Sequence, residues 1–480
     1  LPPHEIASLI RRSRADVLVH TALRREDVAA IRSGIPTVRL FVDADLQEDA
    51  RGTRAFSSLM KEGEMASASD RNAYLSLPID PSVLQVLLFT SGTTADSKAV
   101  MLSQRNLCSN LTAMCSMLYI DEKDTFLSVL PLHHTYECTC GFLCPVYRGC
   151  TVAYAEGLRQ IPRNLQESQA TLVLVVPLML EAFYRRILSA AAQDPEKAKK
   201  LKTGLALSRT LRRIGIDVRR KLFAPIHDTF GGHLRLFIAG GAPIDPAVMK
   251  GMQDFGFHCV QGYGLTECAP ILALNRDRVF RNESAGLPLP GVDLRIDEPD
   301  EDGVGEIVGR GPNVMLGYYE NEEATAEALR DGWFHTGDLG YLDRDGFLII
   351  TGRKKNVIVT KNGKKIFPEE VESLLGRNEL VRESLVYGIQ DESGEMVVAA
   401  EIVPDFERLA QENGGQEPSE AIVRSRMADV VKGVNQLLVP YKYIRNFHIR
   451  REEFDKTTTK KIKRHTVRIG AAPGGKPGPA

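Results

Sequence analysis

An apolar run, Val86, Leu87, Leu88 and Phe89, stops abruptly at Thr90, Ser91, Gly92, Thr93 and Thr94, and is followed closely by Ser97 and Lys98. The apolar four read as a buried strand bounded by turn residues. The hydroxyls are short, Gly92 is conformationally permissive, and closely spaced backbone N–H groups can wrap an anion. Ser97 contributes a further hydroxyl and Lys98 a mobile positive charge, the combination that holds and neutralises a polyphosphate. This is a phosphate loop by chemistry. It is not a Walker loop, because Gly92 is not followed by the four-residue gap and the Gly-Lys-Ser/Thr ending of that motif. Taken alone, the cluster also fits a Ser/Thr-rich surface turn.

Three later stretches carry chemistry that complements a phosphate site. Gly240, Gly241, Ala242 and Pro243 follow an aliphatic strand expected over 234–239, and their small residues let a planar ring lie flat against the backbone. Asp338, in GWFHTGDLG, sits between a glycine and a turn, where it can accept both hydroxyls of a ribose. Arg353, in TGRKKN, can reach the same sugar or a phosphate with its fork of donors. Each of these, by itself, is equally a solvated turn residue. Neither GYGLTE (262–267) nor GRGPNV completes the six-residue dinucleotide fingerprint, which argues against a nicotinamide cofactor.

The elements that must hold these residues alternate. A helix is expected to begin after Pro2 and Pro3, then a strand over 15–21, a helix over 24–32 and a strand over 38–42. That alternation implies a parallel sheet. A helix over 107–118, a strand over 125–130, and strands over 172–176 and 258–261 continue the pattern. From Val292 the texture changes to short alternating segments with Gly and Asp turns, which suggests a small β-rich unit. After Arg353 the chain turns basic and polar, then settles into a compact α/β pattern. Beyond Arg468 the stretch IGAAPGGKPGPA has the composition of a disordered end.

Composition sets the bounds. A chain of 480 residues suggests two to four units at roughly 150 residues each. Apolar residues make up 43%, ample for burial, and 61 Lys and Arg against 62 Asp and Glu leave a net charge of −1, so there is no global electrostatic case for nucleic acid. No apolar run approaches the roughly eighteen residues that span a bilayer, and the start lacks a signal-peptide pattern; a cytoplasmic protein is the default expectation. Of the eight cysteines, six fall between Cys108 and Cys150, but paired CxxC spacing is absent and the segment is apolar, so small buried thiols are expected rather than a metal site. Lys197, Lys199, Lys200, Lys202, Arg209, Arg212, Arg213, Arg219, Arg220 and Lys221 crowd one helical stretch, relieved by Glu196 and Asp217. A solvated helical face is the favoured reading; a surface for peripheral contact with anionic membrane is the other.

Read together, residues 90–106 resemble the signature of the adenylate-forming enzymes, whose pattern is T-S-G-T-T, two variable positions, S-K, and a leucine before a polar residue and asparagine. Gln104 stands where many members carry histidine. The texture of the chain is similar to the long-chain acyl-CoA synthetase group, in which comparable basic helical insertions occur. The resemblance implies an α/β fold: a large domain of mixed and parallel sheets with flanking helices and a β-rich subdomain, and a small mobile α+β cap. It implies boundaries at 1–353 for the large domain (292–353 β-rich), 354–355 for the hinge, 356–468 for the cap and 469–480 for the tail. It also implies that the start of the large domain is absent.

The same resemblance assigns roles. Thr90, Ser91, Gly92, Thr93, Thr94 and Lys98 bind the phosphates of ATP, and Gly241, Ala242 and Gly264 lie with Tyr263 around the nucleotide. Tyr263 stacks on adenine, Thr266 touches the phosphate, and Glu267 holds Mg2+, a hard cation that prefers carboxylate oxygen. His134, after the Pro-Leu pair 131–132, sits beside the acyl carboxylate and the phosphate; on residue chemistry alone, His133 and His134 fit a satisfied structural role as well. Lys355 is the pivot of the cap, and Gly363 faces the channel for the thiol of CoA. Lys461 bridges the acyl carboxylate and the α-phosphate, although Asp455 and Lys460 replace the proline and glycine usual around it. Asp338 and Arg353 keep the roles given above. The implied activity is an ATP-dependent ligase that makes a fatty acyl-adenylate and then the CoA thioester. Transfer to a carrier protein and a non-catalytic binding remnant stay open as alternatives.

Overall fold

Short aliphatic runs joined by amphipathic helices dictate the first part of the chain. The computed structural model describes residues 1–69, 71–90, 97–361, 363–391, 394–456, 462–464 and 467. The chain divides into two units, residues 1–106 with 315–325, and residues 107–314 with 326–480. In the first unit, the helix Pro3–Ser13 starts on prolines, whose missing N–H is no loss in a first turn. Strand β1 (Val17–His20) pairs in parallel with β2 (Leu40–Asp43), and β2 with β3 (Arg54–Ala55). The helix Arg25–Ile31 makes the crossover, and Ile10, Val28, Ile31, Ile35 and Phe41 fill the core beneath. Strand β4 (Leu84–Phe89) and β5 (Ala99–Ser103) form an antiparallel pair, and the two-residue strand Gly317–Tyr318 adds to the other edge of β5.

The second unit is built on a seven-stranded sheet. Its strands are β6 (Thr125–Ser128), β7 (Thr151–Tyr154), β8 (Leu172–Val175), β9 (Leu236–Ala239), β10 (His258–Gly264), β11 (Ile271–Leu274) and β12 (Leu287–Pro288), in the order β12-β11-β10-β9-β8-β6-β7. The strands from β10 to β7 are parallel, β11 runs against β10, and β12 runs against β11 and so returns to the common direction. Strands β8 and β9 are buried at every residue. That is why they read as unbroken aliphatic runs: a parallel strand covered on both faces has no polar side. Phe230, Phe237, Phe255 and Phe257 pack beside them, with Phe230 and Phe257 edge to face at 5.2 Å.

The β-rich part follows the expected change of texture. Strand β13 (Asp293–Asp297), β14 (Gly305–Arg310), the long strand Trp333–Leu342 and the strand Leu348–Arg353 pair antiparallel in sequence. Further on, Val381–Gln390, Met396–Pro404 and Ile444–Ile449 make a three-stranded sheet, covered by the helices Pro368–Gly376 and Glu420–Asn435 over a core of Val371, Leu375, Val386, Ile402, Met427 and Val431. The tail composition at 469–480 lies outside the described residues.

Two surface expectations change in detail. Cys140, Cys144, Cys259 and Cys268 are buried, but Cys108 is exposed and Cys115, Cys138 and Cys150 are half-buried. The basic stretch forms the helix Pro195–Arg213 and, after a break, the short helix Arg219–Leu222, and more of its charge is matched than its own acids allow. Asp254, on the helix Pro246–Asp254, takes Arg209 at 2.7 Å, Lys250 at 3.3 Å and Arg212 at 4.0 Å. Among the described residues, no helix is long and apolar enough to cross a membrane.

Candidate active site

The parallel strands of the second unit deliver their residues at one edge. Ligands in open α/β sheets bind beyond the carboxyl ends of the strands. Here those ends carry the turn 131–136 after β6, Gly240–Pro243 after β9, and Gly264 to Glu267 at the end of β10. Within the turn after β6, the His133 and His134 rings lie 4.5 Å apart, and burial holds His133 below the usual histidine range. Tyr136 donates to the Ile238 carbonyl of β9 at 2.8 Å, and its ring lies 3.0 Å from where a Cβ on Gly240 would stand. The turn bearing His134 is thereby tied to the turn bearing Gly241 and Ala242, and Gly241 uses the left-handed conformation, with φ +88°.

Tyr136 also opens a π-helical segment, Tyr136–Leu143. Such segments are rare and frequently sit at functional sites. Glu137 inside it is fully buried, accepts from the Ser128 hydroxyl at 2.5 Å through Oε1, and has no partner for Oε2 among the described residues. Burial pushes its carboxyl up to about 7.

The turn after β10 is held from both sides. Thr266–Cys268 is a single 3-10 turn, and the carbonyls of Cys268 and Ile271 bracket the reversal into β11. Asn110 Nδ2 donates to them at 3.1 and 2.9 Å, and Asn313 Nδ2 at 3.2 and 2.8 Å. Two buried amides therefore fix the backbone that presents Thr266 and Glu267. A Cβ on Gly264 would meet the Pro270 carbonyl oxygen at 1.8 Å, so the close approach of β10 to the returning chain requires glycine.

Asp338 comes from a bulge. Glu306 pairs with Leu339 and Val308 with His335, so Thr336, Gly337 and Asp338 together oppose Ile307. Bulges re-aim side chains next to active sites, and three of the backbone groups here take side-chain partners. Thr336 Oγ1 donates to the Ile307 carbonyl at 2.7 Å and accepts the Asp338 N–H at 3.1 Å; Glu306 Oε1 accepts the Gly337 N–H at 3.0 Å. Gly337 has φ +70°. Asp338 accepts from the Tyr263 hydroxyl at 2.7 Å and pairs as an ion with Arg353, whose Nε lies 3.0 Å from Asp338 Oδ1. Burial, with the Asp338 charge beside it, pushes the Tyr263 phenol well up, so Tyr263 is a donor at any ordinary pH.

Glu306 does a second thing. Its Oε2 lies 2.9 Å from Lys354 Nζ, 3.4 Å from His335 Nδ1 and 3.9 Å from Arg330 Nη2. Burial works against its charge, but the hydrogen bonds from Lys354, Gly337 and His335 outweigh that and hold the carboxyl below its ordinary range. Two residues on, Asn356 Nδ2 donates to Glu369 of the helix Pro368–Gly376 at 2.6 Å, and Lys355 between them is exposed. Gly363 closes the turn between Thr360 and Lys364 with φ +73°.

In the first unit the flanks of the phosphate loop are locked together. Thr90 N–H donates to the Lys98 carbonyl at 2.9 Å, Lys98 N–H to Thr90 Oγ1 at 3.1 Å, and the Ser97 hydroxyl to the Thr90 carbonyl at 2.9 Å. Lys98 Nζ stands 4.8 Å over the Tyr318 ring. Ser91, Gly92, Thr93 and Thr94 lie outside the described residues, as does Lys461. Of the residues singled out in the sequence, Tyr263, Asp338 and Arg353 are in direct contact, and Gly264, Thr266 and Glu267 lie on the same strand end as Tyr263. Sequence reasoning missed Glu306, Thr336, Asn110 and Asn313. Asn110 had a signal, a polar residue among the inward-facing Leu107, Leu111 and Met114.

The AMP-binding enzyme model matches residues 1–319 and the AMP-binding enzyme C-terminal domain model residues 370–461, so the chain belongs to the AMP-binding enzyme family. Long-chain-fatty-acid–CoA ligase 1 of Homo sapiens is 29% identical over 477 residues, covering 90% of this chain and 67% of that protein. Long-chain-fatty-acid–CoA ligase FadD15 of Mycobacterium bovis is 30% identical over 475 residues, covering 92% and 76%. Among solved structures, ATP-bound MatB from Rhodopseudomonas palustris superposes with a TM-score of 0.71 at 25% identity, covering 97% of this chain and 81% of that one.

Proposed function

We propose that the protein is an AMP-forming ligase that activates a long-chain fatty acid with ATP and passes the acyl group to CoA. The observation that carries this is the Tyr263, Asp338 and Arg353 cluster at the carboxyl ends of the parallel strands, in a chain whose relatives are long-chain-fatty-acid–CoA ligases. In the first step a carboxylate oxygen attacks the α-phosphorus and pyrophosphate leaves. In the second the thiol attacks the acyl carbon and AMP leaves. Little covalent chemistry is asked of the protein, so positioning and charge neutralisation supply the rate.

Asp338 receives the ribose hydroxyls, Tyr263 lies along the adenine, and Gly241, Ala242 and Gly264 leave room for the ring. Thr90 to Thr94 with Lys98 receive the phosphates, His134 and Thr266 attend the reacting phosphate, and Lys461 bridges carboxylate and α-phosphate. The donors fit magnesium: Glu267 offers hard carboxylate oxygen on a turn clamped by Asn110 and Asn313, and Mg2+ is usually bound by one or two carboxylates plus substrate phosphates. When bound, the ion would neutralise phosphate charge. Lys355 is the pivot and Gly363 leaves the CoA arm unobstructed.

The test is fatty-acid-dependent exchange of pyrophosphate into ATP across chain lengths, with AMP release then followed with CoA or a carrier protein as acceptor. Exchange that Lys461→Ala abolishes is expected, with CoA the better acceptor. Nucleotide binding without exchange would defeat the ligase reading.

The two basic helices support peripheral contact with an anionic membrane, where such a substrate would be collected. Lys199, Lys202, Arg213 and Lys221 are exposed and make no ion pair among the described residues, and Ile214 is 69% and Ile216 48% exposed beside them. Cations around an apolar tip suit an anionic lipid surface. Vesicles with phosphatidylserine should sediment the protein and neutral vesicles should not; the four-fold Gln variant binding as well as the parent would remove this proposal.

A further inference from the structure

The segment that crosses from the β-rich sheet to the last α/β part changes its attachment within three residues. Lys354 is held by Glu306, on β14, at 2.9 Å. Asn356 is held by Glu369, on the helix Pro368–Gly376, at 2.6 Å. Lys355 lies exposed between the two anchors. A backbone rotation confined to few residues needs firm attachment on either side. The side chains therefore bracket the pivot independently of its basic composition.

The body-side anchor is not a simple surface pair. Glu306 is 7% exposed, and its two oxygens divide the work. Oε1 takes the N–H of Gly337, which the bulge has removed from the strand ladder, and so supports the backbone immediately before Asp338. Oε2 takes Lys354, with His335 and Arg330 nearby. One buried carboxylate thus joins the backbone that presents the ribose-binding side chain to the first residue of the hinge.

We infer that Glu306 is a positioning residue for both half-reactions, holding Asp338 for adenylate formation and anchoring Lys354 so that the cap turns about Lys355 for thioester formation. This rests on the ligase reading above. The two arms are separable, because only Lys354 belongs to the hinge arm and only the Gly337 contact belongs to the nucleotide arm. Glu306→Gln keeps a carbonyl oxygen for Gly337 but loses the charge that holds Lys354 and His335. Lys354→Met removes the hinge arm alone, at a half-exposed side chain.

The experiment measures pyrophosphate exchange for the first step and single-turnover thioester formation from preformed acyl-adenylate for the second. Loss of a hydrogen bond to a charged group predicts a thioester step about tenfold slower in Lys354→Met, with exchange unchanged and with Lys354→Arg restoring transfer. Glu306→Gln is expected to slow transfer likewise and, because it keeps the Gly337 contact, to leave the KM for ATP in exchange within about twofold, whereas Glu306→Ala, which strips Gly337 as well, should raise it about tenfold; a Glu306→Ala protein with the parent's KM for ATP overturns the nucleotide arm. A Lys354→Met protein that transfers as fast as the parent overturns the inference while the ligase reading stands. A parent chain that exchanges no pyrophosphate overturns the ligase reading and the inference with it.

Discussion

The Tyr263 hydroxyl donates to Asp338 across 2.7 Å, and that one bond joins the end of β10 in the parallel sheet to the bulge in Trp333–Leu342 of the β-rich sheet. Asp338 is therefore held on three sides: by its own bulge, by Tyr263 and by Arg353. A carboxylate oxygen accepts more than one hydrogen bond. Tyr263 and Arg353 orient the group while lone pairs stay available to ribose hydroxyls.

Tyr263→Phe tests that arrangement, since it keeps the ring and removes the donor. A hydrogen bond to a charged group is worth about 1.5–3 kcal/mol. Part of that should appear in nucleotide affinity, because the freed carboxylate no longer points to one place. Calorimetric titration with AMP should show binding weakened by about tenfold. An AMP affinity within about twofold of the parent would mean that Arg353 and the bulge suffice without Tyr263.

The Asn110 and Asn313 clamp predicts non-additivity. Each amide reaches both the Cys268 and Ile271 carbonyls, so either alone leaves both acceptors satisfied. Single changes to Ala strip neither carbonyl and should each cost about 0.5–1.5 kcal/mol, the net worth of an intramolecular hydrogen bond. The double change strips both carbonyls and should exceed the sum of the singles. Urea unfolding of the four proteins measures the coupling; simple additivity would show that the two side chains act independently.

How much of this was legible beforehand depended on whether a residue's role was local. Strands β8 and β9 were readable because burial on both faces leaves an aliphatic run. The meeting of Tyr263, Asp338 and Arg353 was readable because each directly follows a glycine in a marked motif, GYGLTE, TGDLG or TGRKKN. Glu306 was not, because a single acid in GEIV looks like the solvent face of a strand, and its partners Gly337 and Lys354 come from elsewhere in the chain. Asn110 and Asn313 were hidden similarly: their acceptors are backbone carbonyls, which carry no sequence mark. The matching of Arg209 and Arg212 by Asp254 depends on packing between two helices, so the basic run looked less neutralised than it is.

Gly264 should be intolerant of any side chain. The obstruction to a Cβ is a backbone carbonyl 1.8 Å away, which cannot swing aside as a side-chain end would. Gly264→Ala must part β10 from the chain returning into β11, and with it the turn that carries Thr266 and Glu267. A large loss of stability, at the upper end of about 0.5–3 kcal/mol or beyond, is expected, together with loss of AMP binding. Thermal melting with and without AMP reads both effects, and a variant as stable as the parent would contradict the strand geometry.

Glu137 gives stability a pH dependence whose sign can be worked out. In the unfolded chain its proton leaves near the ordinary value of 4.5; in the folded chain burial keeps the proton to about 7, against the opposing hydrogen bond from Ser128. Between those two values the folded state binds more protons than the unfolded state, so the unfolding free energy falls as pH rises. Below the window both states are protonated and above it both are ionised, so the contribution is flat on either side. A gap of that size amounts to about 3 kcal/mol. Glu137→Gln keeps a carbonyl oxygen for Ser128 but cannot ionise, so it should be no more stable than the parent near pH 4.5 and should gain on it steadily up to pH 7. Urea unfolding of both proteins at half-unit steps measures the difference. A difference that stays constant across the window would show that Glu137 is ionised in the folded protein at acid pH, and that a donor reaches Oε2.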